Sequence, residues 1–463
     1  MNKPLFSDFP EVSSKQWKQL IQFDLKGADY NDTLIWKTNE GINVKPFYHA
    51  DEFESLPPIS NTKATEWKIC QSIFVANVEM SNKKAVDAIE RGAESINFIL
   101  PTENIVIKDL LVNINLSEVT IYFECQFLSS EFVRQFNFFP SKENIHLQTD
   151  IIGHLAKSGN WFTNLRDDHA QFEHVVNDSN ALSVNVSLYQ NAGATMVQQL
   201  AYALAHANEY LNHLESSPEL CGKVIASEAK QSFKVTFNVS IGTNYFFEIA
   251  KLRALRQLWA ALAAEYGFNT ECQVFATTTK RNKTLYDYNT NLLRTTTECM
   301  SAILGGANTI CNLPYDSIYH KDNEFGERIS RNQLLILKHE SYFDIVNNPP
   351  DGAYYIENLT AQLAEKALIL FKDIEANGGF LHQLKEGIIQ KKIKESAAKE
   401  QEQFKKGETV LLGTNKYPNK EDKMKADMEL YPFVKTNPVK TLLEPIIERR
   451  LGEKMEQERL KTE

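Results

Sequence analysis

Residues 181–195, ALSVNVSLYQNAGAT, decide the reading of the fold. Leu182, Val184, Val186 and Leu188 share one parity, and Ser183, Asn185 and Ser187 the other. That alternation predicts a strand running to about Tyr189. The small-residue turn QNAGAT then feeds an alanine-rich helical run, GATMVQQLAYALAHANEYLNHL. In an α/β enzyme, catalytic side chains sit where a strand ends and its helix begins. Here that junction offers Leu188, Tyr189, Gln190 and Asn191, with no acid, base or nucleophile among them.

The same alternation of strand and helix extends in both directions. Strand-like runs are KICQSIFVANV, SINFILP, VTIYFECQFL, NIHLQTD, FKVTFNVSIG, CQVFATTT and NTICNLP. Helix-like runs lie between most of them. NKKAVDAIERGA stops at Gly92, and NYFFEIAKLRALRQLWAALAAEYG stops at Gly267, with Phe247, Ala250, Ala254, Leu255, Leu258, Trp259 and Leu262 on one face. YDYNTNLLRTTTECMSAILGG takes Asp287 as its expected N-cap and Gly305-Gly306 as its stop. Roughly eight β-α units over about 250 residues predict a (β/α)8 TIM barrel. A doubly wound open sheet is the alternative, and the missing GxGxxG weakens its dinucleotide-binding form.

Two flanking regions complete the expected layout. Residues 1–60 read as an extended, aromatic-rich arm with Trp17, Phe23, Trp36, Phe47 and Tyr48, ending near Pro57-Pro58. Such an arm must bury its rings on its own barrel or on a partner. Residues 61–385 form the barrel unit, and residues 386–463 a helical extension followed by a charged tail with one short terminal helix.

Bulk composition excludes several classes. The chain has 463 residues and a net charge of −10, which disfavours binding to a nucleic-acid backbone. No apolar run suits a membrane span, and the N-terminal stretch lacks a signal-peptide core, so a cytoplasmic protein is expected. Cys70, Cys125, Cys221, Cys272, Cys299 and Cys311 are scattered without a CxxC pair, so free, buried thiols are expected.

Clusters with chemical potential each have an ordinary reading. His206, Glu209 and His213 share one helix face at metal-ligand spacing, although no HExxH occurs, and a solvated polar face accounts for them. Asp168, His169 and His174 suggest a polar loop. Lys280, Arg281 and Lys283 follow a strand and would stand at the catalytic face of a barrel, where they could meet phosphate or carboxylate or form salt bridges.

Several stretches resemble the methylmalonyl-CoA mutase family. NYFFEIAKLRALRQLWAAL is similar to the family's F-x-E-[IV]-A-K-x-R-A-x-R-x-L-W helix. DYNTNLLRTTTECMSAILGGANTICNLPYD, GERISRNQLLILKHES, DGAYYIENLTAQLAEKALILFKDIEANGGF, LLGTNKYP and VKPFYHADEF follow the family's order over most of residues 40 to 418. The resemblance implies a barrel threaded by acyl-CoA, with adenosylcobalamin held against its mouth by a C-terminal domain.

The departures from that pattern point to the family's small, non-catalytic subunits. Aligning QNAGA with the family's QEAGA places Leu188 on the His that bonds the thioester carbonyl, and leucine cannot donate a hydrogen bond. Counting ten residues from Gln148 places Ser158 on the Arg that clamps the substrate carboxylate. No R-x-Y-A-G-F-like segment with the radical-shielding Tyr follows VKPFYHADEF. The cobalamin motif D-x-H-x-x-G fails too, because Asp167-Asp168-His169 is followed by Ala170-Gln171-Phe172 inside the barrel. The resemblance thus implies no catalytic, cofactor or metal residues in this chain, no cobalamin-binding domain, and a heterodimer whose large catalytic mutase subunit holds adenosylcobalamin. An active acyl-CoA mutase chain that borrows a separate cobalamin-binding subunit is the alternative. A barrel repurposed for an unrelated acidic ligand is a third reading.

Overall fold

The structure, a computed structural model, describes residues 7–55, 59–60, 62–139, 142–216, 233–435 and 439–463. Pro57-Pro58 and Cys221 lie outside the described residues. Eight parallel strands form the expected α/β barrel: β1 (Lys68–Phe74), β2 (Ser95–Leu100), β3 (Thr120–Cys125), β4 (Ile145–Gln148), β5 (Ala181–Asn185), β6 (Lys234–Ile241), β7 (Gln273–Thr278) and β8 (Thr309–Cys311). Their order is β4-β3-β2-β1-β8-β7-β6-β5, so β1 pairs with both β2 and β8. Among the described residues no ladder joins β4 to β5.

Side-chain bonds close that seam. The Asn185 N–H donates to Asp150 Oδ2 at 2.7 Å, and Ser183 Oγ donates to the Thr149 carbonyl at 3.1 Å. Asp150 follows β4 and caps the helix Ile151–Ser158 through the Gly153 N–H. One carboxylate therefore starts a helix and joins two strands.

Outward residues pack under the helices. Leu182 and Val184 of β5 are buried with Trp259 and Ala250 of the helix Tyr245–Glu265. That helix is buried beyond the single face read from its sequence, because the helix Tyr354–Ala376 covers its other side. There Arg253 Nη2 donates to both oxygens of Glu357, at 2.8 and 2.9 Å, and all of Arg253 is buried. Cys70, Cys125, Cys272, Cys299 and Cys311 are free thiols.

Three expectations need correction. The strand of residues 181–189 stops at Asn185, because Val186 turns into helical geometry (φ −79°, ψ −21°) and Ser187–Ala192 form a short helix ended by Gly193 at φ +101°. Asp287 is not an N-cap: it has φ +49°, its carbonyl accepts the Thr290 N–H, and the helix runs Thr290–Leu304 behind Asn289. Asp168, His169 and His174 lie on the helix Leu165–Ser179 rather than in a loop, since Asn164 caps the Asp167 N–H and starts the turn early.

The arm is only partly buried. Trp17, on the helix Ser14–Asp24, stacks on Phe47 with centroids 4.5 Å apart, Trp36 meets Phe247 edge-on, and Tyr48 lies against Tyr355. Phe23 is 80% exposed, and Phe9, Val12 and Leu20 are also exposed.

The charged tail is not a loose linker. Leu443 and Ile446 are buried in the main core. The Leu442 and Leu443 N–H groups donate to the Gly159 carbonyl, Ile446 to Ala156, Arg449 to Asn191 and Leu451 to Arg281. Residues 441–451 thus form a strap along the strand-end loops after β4, β5 and β7. The sequence gives this segment no period because its partners lie 170 to 290 positions away, and each contact is local to one loop.

Candidate functional site

The barrel mouth holds a cavity of about 670 Å³ at the carboxyl ends of the strands, the usual place for a site in this fold. Its walls are inward-facing strand residues: Ser72, Asn97, Glu124, Gln148, Ser183, Asn185, Asn238, Ser240 and Thr277. Bulky branched residues ordinarily fill such a lumen. Here alternation sends most Ile and Val outward, Ile99 excepted, and mainly polar groups inward, so the upper lumen stays open.

The lower lumen is closed. Tyr122, Phe275, Cys70 and Cys311 form a buried cluster, and Phe275 and Cys311 line the cavity floor. Tyr122 stacks on His146 with centroids 4.7 Å apart and lies 4.7 Å from Phe275. The Tyr122 hydroxyl pairs with Thr309 Oγ1 at 2.8 Å, fixing the ring across the axis. Below it, Lys68 Nζ donates to Thr120 Oγ1 at 2.6 Å.

Burial, with the nearby charges of Lys234 and Lys68, pushes the His146 imidazole down to about 3 from its ordinary 6.5. The folded state therefore excludes a proton that the unfolded chain binds below about pH 6.5. Stability from this group is complete above pH 6.5 and falls as pH drops toward 3. The expected slope is about 1.4 kcal/mol per pH unit across that window. His146→Phe, which keeps a ring against Tyr122, should remove this slope in denaturant melts taken from pH 7 to pH 4.

Leu188 and Ser158 both reach the cavity wall. Leu188 is 1% exposed, in the short helix after β5. Ser158 closes the helix Ile151–Ser158, and its hydroxyl donates to the Asn160 carbonyl at 2.8 Å. Neither presents a charge or an acid. Glu448 of the strap also lines the cavity, accepting from Asn191 Nδ2 at 2.9 Å and lying 3.9 Å from Lys157 Nζ.

The helical His206–Glu209–His213 face is taken apart by three different neighbours. His206 is fully buried, which corrects the solvated reading. Its Nε2 donates to Asp150 Oδ1 at 2.9 Å, so in the neutral tautomer Nδ1 accepts from the Tyr189 hydroxyl, also at 2.9 Å. Tyr210 donates to the same Asp150 oxygen at 2.6 Å. Burial alone would raise the Asp150 pKa, but His206, Tyr210 and the Gly153 N–H outweigh it and hold it below its ordinary value. Glu209 accepts the Leu381 N–H at 2.8 Å, and His213 pairs with Glu173 at 2.8 Å.

The basic run is likewise divided. Only Lys280 lines the mouth cavity. Arg281 donates to Glu400 and to the Arg449 carbonyl of the strap. Lys283 is buried against Glu298, with Nζ 2.9 and 2.8 Å from its two oxygens. Burial lowers the Lys283 pKa and raises that of Glu298, and each partner opposes the other's shift.

The residues nearest to a cobalamin motif do not fit a corrinoid. Asp168 is buried, with its carboxylate taken by the Phe162 and Thr163 N–H groups at 2.7 and 2.9 Å. His169 Nδ1 bonds the Leu165 carbonyl at 2.8 Å, a contact within its own helix. Asp168 therefore cannot orient His169 toward a metal.

The seam network of Asp150, His206, Tyr189 and Tyr210 escaped sequence reading. The one available signal was that Asp150 closes the expected strand run NIHLQTD.

No helix among the described residues is long and apolar enough to cross a membrane. The methylmalonyl-CoA mutase family profile matches residues 138–458. The chain is 37% identical over 453 residues to a methylmalonyl-CoA mutase small subunit of Porphyromonas gingivalis, covering 90% of this chain and 71% of that one. It is 26% identical to a small subunit of Streptomyces virginiae, covering 89% and 72%. It is 29% identical to a methylmalonyl-CoA mutase of Cereibacter sphaeroides over 87% of this chain, and spans 64% of that protein's length. The order of matching segments, the barrel and the 37% identity agree: the chain belongs to the methylmalonyl-CoA mutase family.

Proposed function

We propose that this chain is the small, non-catalytic subunit of a cytoplasmic, heterodimeric methylmalonyl-CoA mutase. Its large partner holds adenosylcobalamin and interconverts methylmalonyl-CoA and succinyl-CoA. The observation that carries this reading is the lumen. A barrel threaded by acyl-CoA needs an open axis, and here the packed rings of Tyr122, His146 and Phe275 lie across it. Leu188 and Ser158 agree, since at those two positions of the cavity wall there is neither an imidazole donor for a thioester nor a guanidinium to clamp a carboxylate. The same blocked axis argues against an active chain served by a separate cobalamin-binding subunit. The relatives named small subunits support the assignment.

In this reading the partner covers the exposed face of the arm. Phe9, Val12, Leu20 and Phe23 carry apolar surface that the barrel leaves in water. The contribution of this chain is then stability and shape for the catalytic chain, not reacting groups.

Co-expression with the large chain, followed by sizing and an activity assay, tests the proposal. A one-to-one complex is expected, with activity abolished when the large chain's active site is inactivated. Leu188→Ala should lower stability by about 2–4 kcal/mol, as buried leucine truncations do. It should leave turnover per folded complex unchanged. A selective loss of turnover with the fold intact would count against the proposal.

A further inference from the structure

The upper lumen is polar beyond what its fold needs, and its polar atoms are incompletely paired. Asn97 is 3% exposed. Its Nδ2 donates to Ser72 Oγ at 3.2 Å and to Glu124 Oε2 at 3.4 Å, which fixes the amide and leaves Oδ1 a buried acceptor with no donor. Asn185 and Asn238, neighbours in the β5–β6 register, also have Oδ1 atoms without a donor, against one buried donor on this wall without an acceptor, Gln148 Nε2. Glu124 lines the same cavity, and among the described residues no Lys, Arg or His forms an ion pair with it. Buried acceptors without donors are uncommon unless water or a ligand supplies the hydrogens.

The charges select the sign of that ligand. Glu124 and Glu448 carry carboxylates into the cavity wall, and Asp150 adds its charge there although both its oxygens are already hydrogen-bonded. The opposing cations are peripheral: Lys157 lies 3.9 Å from Glu448, and Lys280 is exposed. His154 stacks on Phe162, and burial lowers its pKa, so it brings no charge at neutral pH. A carboxylate ligand would meet like charges, whereas an ammonium group would supply up to three donors to Asn97 Oδ1 and Glu124. Phe275 gives the floor an aromatic surface for a short alkyl portion.

We propose that the mouth cavity binds a small organic primary ammonium ion, with Glu124 and Asn97 holding the charged head. This goes beyond the supporting role argued above and does not depend on it.

Titration calorimetry on the purified full chain tests the proposal, with 2-aminoethanol as the probe and erythritol and succinate as comparisons. Saturable one-to-one binding of 2-aminoethanol is expected, with no heat from succinate and much weaker binding of erythritol. Glu124→Gln should weaken 2-aminoethanol about 10- to 100-fold, the loss typical of a charged hydrogen bond. If that variant does not fold, Asn97→Ser reads the same contact, with a smaller loss expected. Absence of saturable 2-aminoethanol binding would overturn the proposal. So would erythritol binding as tightly as the amine, succinate binding at all, or a folded Glu124→Gln chain binding the amine unchanged. None of these results bears on mutase activity, so the two proposals fail separately.

Discussion

Lys283→Met should destabilise the chain by about 3–5 kcal/mol, among the largest effects of any single substitution here. Lys283 is 1% exposed and Glu298 is 1% exposed, so the pair is shielded from water. Removing the lysine leaves Glu298 with only the Asn282 amide as donor, at 2.6 Å. A buried carboxylate in that state must protonate or draw in water, and either response is unfavourable. Its pKa is already raised by burial, so loss of Lys283 pushes it further in the same direction. Replacing both partners, as Lys283→Met with Glu298→Leu, should recover much of the loss, because an apolar pair of similar volume removes the unpaired charge. Thermal melts of the three variants beside the parent check this. A single variant as stable as the parent would show that the pair is not desolvated as described.

The strap carries the second large effect. Gly159 has φ +78°, and a Cβ built on it would lie 2.7 Å from the Leu443 carbonyl oxygen and 2.8 Å from Thr441 Cβ. Gly159→Val therefore combines a left-handed conformation with a collision against the strap, and should destabilise by roughly 2–4 kcal/mol. Gly352 provides the control, having the same φ of +78° with nothing within 4 Å of its Cβ. Gly352→Val should show only the conformational part. Hydrogen exchange distinguishes the two: in Gly159→Val the amides of Leu442, Ile446, Arg449 and Leu451 should lose protection, and in Gly352→Val they should keep it. Equal protection in both would mean that the strap is held independently of Gly159.

These two sites also mark what the sequence conveys and what it hides. Leu182 and Val184 against Ser183 and Asn185 made β5 legible, because alternation is a property of neighbours. Across eight strands the same rule implied the barrel, whereas the polar character of its upper lumen, with Ser, Asn, Thr, Gln148 and Glu124 inward, came only from the structure. The end of β5 was not legible. Val186 and Leu188 keep the strand's parity, yet the chain turns at Val186, and Tyr189 is buried where its hydroxyl meets His206. His206 looked like surface polarity because the Asp150 that buries it lies 56 positions away. Lys283 looked like a basic loop residue until Glu298 was placed beside it. Local periodicity carries the framework, whereas pairings between distant polar residues require the fold.

Under the proposed supporting role, the blocked axis makes a catalytic group at Leu188 or Ser158 unnecessary. With Tyr122 bonded to Thr309, stacked on His146 and packed at a tilt against Phe275, the lower lumen serves as packed core. Leu188, 1% exposed, then contributes burial, and in the proposed reading it stands where the family resemblance expects a hydrogen-bond donor. Restoring that donor alone would not reopen a passage for the acyl-CoA.

The most direct test of this account is turnover by the purified chain alone. It would be assayed with methylmalonyl-CoA, adenosylcobalamin and a free cobalamin-binding subunit, beside the complex with the large chain. The account predicts turnover from the complex and none from the isolated chain; methylmalonyl-CoA conversion by the isolated chain at a rate near that of the complex would contradict it.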